Sequence, residues 1–144
     1  MKKEEECLYC SRNKKQKDLM IEIADFGVSM LFLFKEQSYR GHCVLAYKDH
    51  VNSFYELSEE NRNLFMNDVS KVANVLTELY HPDKINFGFF SDKLPHLHVH
   101  IVPKYIDKVS WGKSFVINPN KVYMTEKGLN DMADNIKGFF DNRL

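Results

Sequence analysis

At 144 residues the chain is long enough for one domain with a substantial core. Its 20 Lys and Arg balance 20 Asp and Glu, which argues against the net positive field of a nucleic-acid or acidic-membrane binder and leaves room for a local phosphate pocket. Three cysteines, Cys7, Cys10 and Cys43, are too few and too odd in number for a disulfide framework. The charged opening Met1–Glu6 has no apolar run behind it, unlike a signal peptide, and no stretch approaches the roughly twenty apolar residues that span a bilayer. The expectation is a cytoplasmic protein with no nucleic-acid or membrane partner.

Residues 1–144 are read as a single domain: an N-terminal segment over 1–17, a core over 18–103 and a C-terminal extension over 104–144. Leu19 to Ala24 and Val28 to Phe34 read as two strands around the Asp25-Phe26-Gly27 turn. A polar connection to Gly41 leads into a third strand, His42 to Tyr47. Ser58 is a helix N-cap, with Glu59 and Glu60 in the first turn. Leu57, Leu64, Phe65, Val69, Val72, Ala73, Leu76 and Leu79 then recur at three- and four-residue steps, the apolar face of a long helix. His81-Pro82 stops it. Asn86 to Phe90 and Leu97 to Pro103 read as a hairpin pair, and a second helix follows Thr125. Strands, helix, strands, helix is an α+β order, with a mainly antiparallel five-stranded sheet and no alternating βαβ unit.

The run His96-Leu97-His98-Val99-His100-Ile101-Val102 carries the chemistry. On an extended strand, alternate side chains share a face, so this spacing puts three imidazoles about 7 Å apart with the aliphatics turned to the core. A neutral imidazole, with an ordinary pKa of ~6.5, is a nucleophile near pH 7, and a neighbouring one can carry a proton to a phosphate oxygen. Alternating His also gathers zinc or iron, although the nearest carboxylates, Asp92 and Asp107, lie in loop-like surroundings. A solvated strand face is the bland alternative. Cys7-Leu8-Tyr9-Cys10 has the spacing of half a zinc site. Its redox reading lacks a βαβ context, and an inert pair is the third possibility. Cys43 reads as a small core residue, and His81 as a helix end.

His-φ-His-φ-His-φ-φ, with φ apolar, resembles the signature of the histidine-triad (HIT) family of nucleotide hydrolases and transferases. Gly41-His42-Cys43-Val44-Leu45, Lys48-Asp49-His50-Val51 and Asn86-Phe87-Gly88 resemble its flanking elements, so the likeness runs from Cys7 to Pro103. The resemblance implies that His98 attacks an α-phosphorus and forms a covalent nucleotidyl-imidazole. It further implies that His100 donates to a phosphate oxygen, that His42 assists in proton traffic and that Asn86 touches the phosphate. No catalytic cofactor is implied. A nucleotide-binding adaptor with little turnover and a metal-dependent enzyme using all three His are the alternatives.

The family's Gly-Gln-Ser/Thr before the triad is replaced here by Ser91-Asp92-Lys93, making Ser91 and Lys93 the candidate phosphate contacts. The acidic residue expected on the ribose falls at Phe34, with Glu36 the nearest stand-in. Bacterial relatives that open with Cys-x-x-Cys complete a structural zinc site with two histidines, here His50 and His96. A homodimer is implied by the resemblance alone.

Overall fold

The computed structural model describes residues 6–141. Residues 1–5 and 142–144, and with them most of the charged opening run, lie outside it. Five strands form one sheet in the order β1-β2-β3-β5-β4, every neighbouring pair antiparallel. They are β1 (Met20–Asp25), β2 (Ser29–Phe34), β3 (Cys43–Tyr47), β4 (Lys84–Gly88) and β5 (His98–Lys104). No helix among the described residues is long and apolar enough to cross a membrane.

Two long helices cover one face of the sheet. The first, Glu59–Tyr80, begins where Ser58 accepts a hydrogen bond from the Asn61 amide and ends at His81, whose backbone is left-handed (φ 49°). The second, Glu126–Asp141, follows Thr125, whose hydroxyl accepts from the Gly128 amide. Phe65, Val69, Val72 and Leu76 of the first and Leu129, Met132 and Ile136 of the second pack on Ile23, Leu31, Leu33, Leu45, Val99 and Ile101. Burying this apolar face holds the layers together. Leu64 is exposed, contrary to its place in the expected stripe, and Val75 is buried instead.

The opposite face is covered as well, by the N-terminal residues and by the chain after β5. Met20, Met30, Phe32, Phe34, Val44 and Ala46 form a second cluster with Leu8 and Tyr9. This explains the unbroken apolar run of β2: every one of its residues is buried, because both faces are. Residues 105–125 return across this side. Tyr39 meets Ser110 at 2.7 Å through their hydroxyls, and Val122 donates to the buried carboxylate of Glu36 at 2.7 Å.

Several boundaries differ from expectation. The N-terminal segment contains two short helices, Leu8–Ser11 and Lys14–Leu19, so Leu19 ends a helix and does not open a strand. The signal was Asn13-x-x-Gln16. The Asn13 side chain caps the second helix by accepting from the Gln16 amide, and the buried Gln16 amide group donates to the Leu8 carbonyl at 2.7 Å. β3 begins at Cys43, so His42 lies just before it. β4 runs over 84–88 and not 86–90, and β5 opens at His98, leaving His96 outside the strand.

Candidate active site

His98 and His100 project from β5 on the face away from the long helices, since Val99 and Ile101 between them enter the helix-side core. His100 lies opposite Val44 on one side and Gly88 on the other. A Cβ at Gly88 would collide with the Phe115 ring and stand 2.9 Å from Phe90 Cζ, so the absence of a side chain lets two aromatics close around His100. His42 is aimed by Gly41, which has a φ of 93° and lies so close to Tyr80 that a Cβ would approach its ring to 2.7 Å.

Hydrogen bonds fix the rings. His98 Nδ1 is 2.7 Å from the His96 carbonyl. A carbonyl only accepts, so Nδ1 carries the proton and Nε2 of the neutral ring presents its lone pair. His42 Nε2 is 2.9 Å from His100 Nδ1. His42 Nδ1 is buried with no partner among the described residues, and an orphaned N–H is costlier than an unused lone pair. His42 Nε2–H therefore donates to His100 Nδ1, which leaves the proton of His100 on Nε2. Burial pushes the pKa of all three below the ordinary imidazole value: His98 against the opposing pull of the His96 carbonyl, His100 to about 3 with help from His98, and His42 well down with help from His100. These are neutral imidazoles at pH 7.

His98 and His100 line a cleft of about 530 Å³, of a size to take a nucleotide-scale ligand. Its walls are chiefly apolar: Leu8, Tyr9, Met20 and Phe34 from one side, Phe115 and Ile117 from the C-terminal return. The Tyr9 ring stacks on His98 with centroids 4.8 Å apart. Lys93 lines the cleft, with Asp92 beside it. Asn86 shares the face of Gly88 and His100 on β4, yet it is not among the described residues lining the cleft. Ser91 borders a neighbouring cavity, not this one. Glu36 is turned away, its carboxylate accepting from Ser38 and Val122. Phe115 and Ile117 were missed by sequence reasoning because they sit in a long loop without a periodic pattern.

The triad is divided. His96 Nε2 donates to the Tyr47 carbonyl at 2.6 Å, freeing Nδ1. That atom is 3.3 Å from Cys7 Sγ, 3.5 Å from Cys10 Sγ and 3.3 Å from His50 Nδ1, and Cys10 Sγ is 3.5 Å from His50 Nδ1. All four donor atoms lie within 4.8 Å of one another. Tetrahedral zinc, with bonds of about 2.3 Å to sulfur and 2.0 Å to nitrogen, needs ligand separations of roughly 3.3–3.8 Å. The cluster fits a metal ion in donor type, number and spacing. The sequence-predicted residues thus form two groups, His42, His98 and His100 beside the cleft and Cys7, Cys10, His50 and His96 behind it.

Comparison with known proteins agrees with this geometry. The family profile described as HIT domain matches residues 16–107. An adenosine 5′-monophosphoramidase of Schizosaccharomyces pombe is 26% identical over 120 residues, covering 81% of this chain and 90% of that protein. A histidine triad protein from Marinobacter aquaeolei superposes with a TM-score of 0.81 at 16% identity, over 92% of this chain and 96% of its own. The diadenosine triphosphate hydrolase of Plasmodium falciparum superposes with a TM-score of 0.64 at 14% identity, over 84% and 76% respectively. The two structural likenesses show a shared fold.

Proposed function

Because this chain belongs to the HIT domain family, we propose that it is a nucleotide hydrolase or nucleotidyl transferase acting at the α-phosphate of nucleoside phosphate conjugates through a nucleotidyl-His98 intermediate. The observation that carries the reading is the His98–His96 hydrogen bond, which leaves Nε2 as a lone pair on a ring lining the cleft. The activity named for the fission-yeast relative supports the same class.

In this reading Nε2 of His98 bonds to the α-phosphorus as the bond to the leaving group breaks. The departing atom takes up a proton from solvent water, while His42 Nε2–H holds the His100 ring in its tautomer. Water then attacks phosphorus, the P–Nε2 bond breaks, and nucleoside monophosphate leaves with His98 restored; in a transferase another acceptor replaces water. His100 Nε2–H donates to a non-bridging oxygen whose charge grows in the transition state. Lys93 supplies positive charge; Asn86 is assigned to the phosphate by resemblance alone, and Ser91 as a substitute for the Ser/Thr hydroxyl of the family pattern that this sequence lacks.

Cys7, Cys10, His50 and His96 would hold zinc, whose contribution is to fasten the N-terminal helices to the sheet and fix His96. The separate clustering of His96 weighs against a catalytic metal held by all three triad histidines. The reading further includes one domain over 1–144, a cytoplasmic setting and a homodimer. The exposed Leu64 and Met66 of the long helix and the edge position of β4 support the dimer, which sedimentation would test.

The deciding experiment incubates the protein with adenosine phosphoramidate or a dinucleoside polyphosphate, quenches in acid and weighs the intact chain. A nucleotidyl adduct that His98→Ala abolishes is the expected result. Nucleotide binding with neither adduct nor turnover would make the protein an adaptor.

A further inference from the structure

The chain after β5 crosses the cleft side of the sheet tied down at both ends. At one end the buried Lys104 ammonium donates to the Ser110 carbonyl at 2.8 Å and to the Lys113 carbonyl. At the other, the Asn120 amide donates to Ser38 Oγ at 3.1 Å and the Val122 amide to Glu36 at 2.7 Å. Between these anchors lie Phe115, Val116 and Ile117, which line the cleft. Among the described residues, a single hydrogen bond reaches the stretch 114–119: the Val116 amide donates to the Tyr39 hydroxyl at 3.1 Å.

Tyr39 is itself firmly held. It is buried, packs with Val102 and Phe115, and meets Ser110 Oγ at 2.7 Å through its hydroxyl. Its carbonyl accepts the His42 amide at 3.0 Å, closing a turn whose third position is Gly41, where φ is 93°. Its ring stands edge-to-face with both His42 and Phe115, at centroid distances of 6.1 and 6.3 Å. One residue thus touches His42 with its backbone and ring, and the cleft wall with its hydroxyl.

We propose that Tyr39 is a positioning residue for substrate binding, its hydroxyl setting where the Phe115–Ile117 wall stands across the cleft from Phe34. The inference rests on the reading of the cleft as the nucleotide site and deepens it. Apolar burial alone would leave that wall loosely placed, because the hydrophobic effect is non-directional. A hydrogen bond has a preferred length and angle, and one made in a buried setting is stronger than the same bond in water. At the centre of an otherwise unbonded stretch, it selects one wall position from those the two anchors permit. The free protein then presents the cleft already formed, so the ligand bears little ordering cost there. Tyr39 is not among the described residues lining the cleft, so it acts through the wall and not on the reacting atoms.

The test uses the full metal-loaded chain, with AMP for affinity and adenosine phosphoramidate for turnover. Tyr39→Phe keeps the buried ring and the His42 turn and removes only the hydroxyl. Ser110 is half-buried and Val116 exposed, so both abandoned groups can turn to water, and the melting temperature should stay close to wild type. Kd for AMP and KM should each rise about five- to tenfold, with kcat changed by less than about twofold. Phe115→Leu tests the route: if the hydroxyl acts through the wall, adding Tyr39→Phe to it should raise KM far less than the product of the two single effects. Unchanged Kd and KM in Tyr39→Phe overturn the inference. A fall in kcat at constant KM overturns it too, since Tyr39 would then act through His42, and so do effects that multiply in the double variant. Hydrogen exchange on the wild type judges the bond without any substitution. The Val116 amide should exchange more slowly than those of Ser114 and Ile117, and equal rates overturn the inference. If wild type neither binds AMP nor cleaves the amidate while the Val116 amide is slow, it is the reading of the cleft that has failed, and the substrate role of Tyr39 falls with it.

Discussion

The backbone carbonyl of His96 accepts the Nδ1 proton of His98 at 2.7 Å, while the ring of the same His96 turns toward Cys7, Cys10 and His50. One residue therefore faces the cysteine cluster with its side chain and orients the neighbouring imidazole with its backbone. Tyr9, set between the two cysteines, reinforces the link: its ring stacks on His98 and lies tilted against His96.

Metal occupancy should therefore govern the nucleophile as well as the fold. Protein purified without chelator is expected to contain about one zinc per chain, read by elemental analysis, and Cys7→Ser to lose it. Loss should lower the melting temperature and reduce kcat/KM, because the ring of His98 is loosened together with the Leu8 and Tyr9 wall of the cleft, while Phe34 and Phe115 stay. Metal-free protein with full activity and freely titratable thiols would refute the coupling.

Replacing the nucleophile separates chemistry from binding. His98→Ala removes the atom that attacks phosphorus, so turnover should fall by a factor on the order of 10³ or more. Nucleotide affinity, measured by calorimetry, should change far less. His98→Asn, which retains a donor for the His96 carbonyl, should be equally inactive but better folded. Activity surviving either substitution would remove His98 from its role.

The same residues show what a sequence can and cannot disclose. The long helix was legible because Ser58 caps it, its apolar residues keep a helical period and His81-Pro82 ends it. The placement of His98 and His100 was legible because Val99 and Ile101 alternate with them. His96 was misplaced on that strand, since two-residue spacing continues through it. The chain instead turns there, the His96 amide bonding the Leu94 carbonyl and the Leu97 amide bonding Val51. The cysteine cluster draws its other two ligands from 40 and 86 residues beyond Cys10. No local pattern spans that distance, and only resemblance named His50 and His96. Glu36 looked like a substrate contact because charge alone does not reveal a carboxylate spent on holding Val122.

Acid should destabilise the protein through the buried imidazoles. His100 titrates near 3 in the folded chain because burial disfavours its cation, against ~6.5 when unfolded. Between those values the unfolded chain binds a proton that the folded chain does not. The stability is thus fully present above about pH 6.5 and is lost as pH falls toward 3, at about 1.4 kcal/mol per pH unit from this group. Urea unfolding at pH 7, 6 and 5 should show the decline, with a shallower slope in His100→Asn. Equal slopes in the two proteins would count against a neutral His100. Catalysis should likewise keep its acid limb below the free imidazole value, since His98 is also depressed.

Gly88 tests whether the wall around His100 is set by the sheet. Its Cα is the only part of the residue facing Phe115 and Phe90, and an added Cβ would press on both rings, at 2.9 Å from Phe90 Cζ and within overlap of Phe115. Phe115 is itself buried and belongs to a cluster with Tyr39 and Val102, so it has little room to retreat. Gly88→Ala should then cost about 1–3 kcal/mol of stability, the usual penalty of an overpacked site. It should also raise KM for the nucleotide conjugate by displacing a ring that lines the cleft. Because Gly88 carries no chemistry, kcat for molecules that do bind should fall less than kcat/KM. An alanine variant with wild-type stability and KM would show that the aromatic wall adjusts freely, and that His100 is enclosed by the loop and not by the strand opposite it.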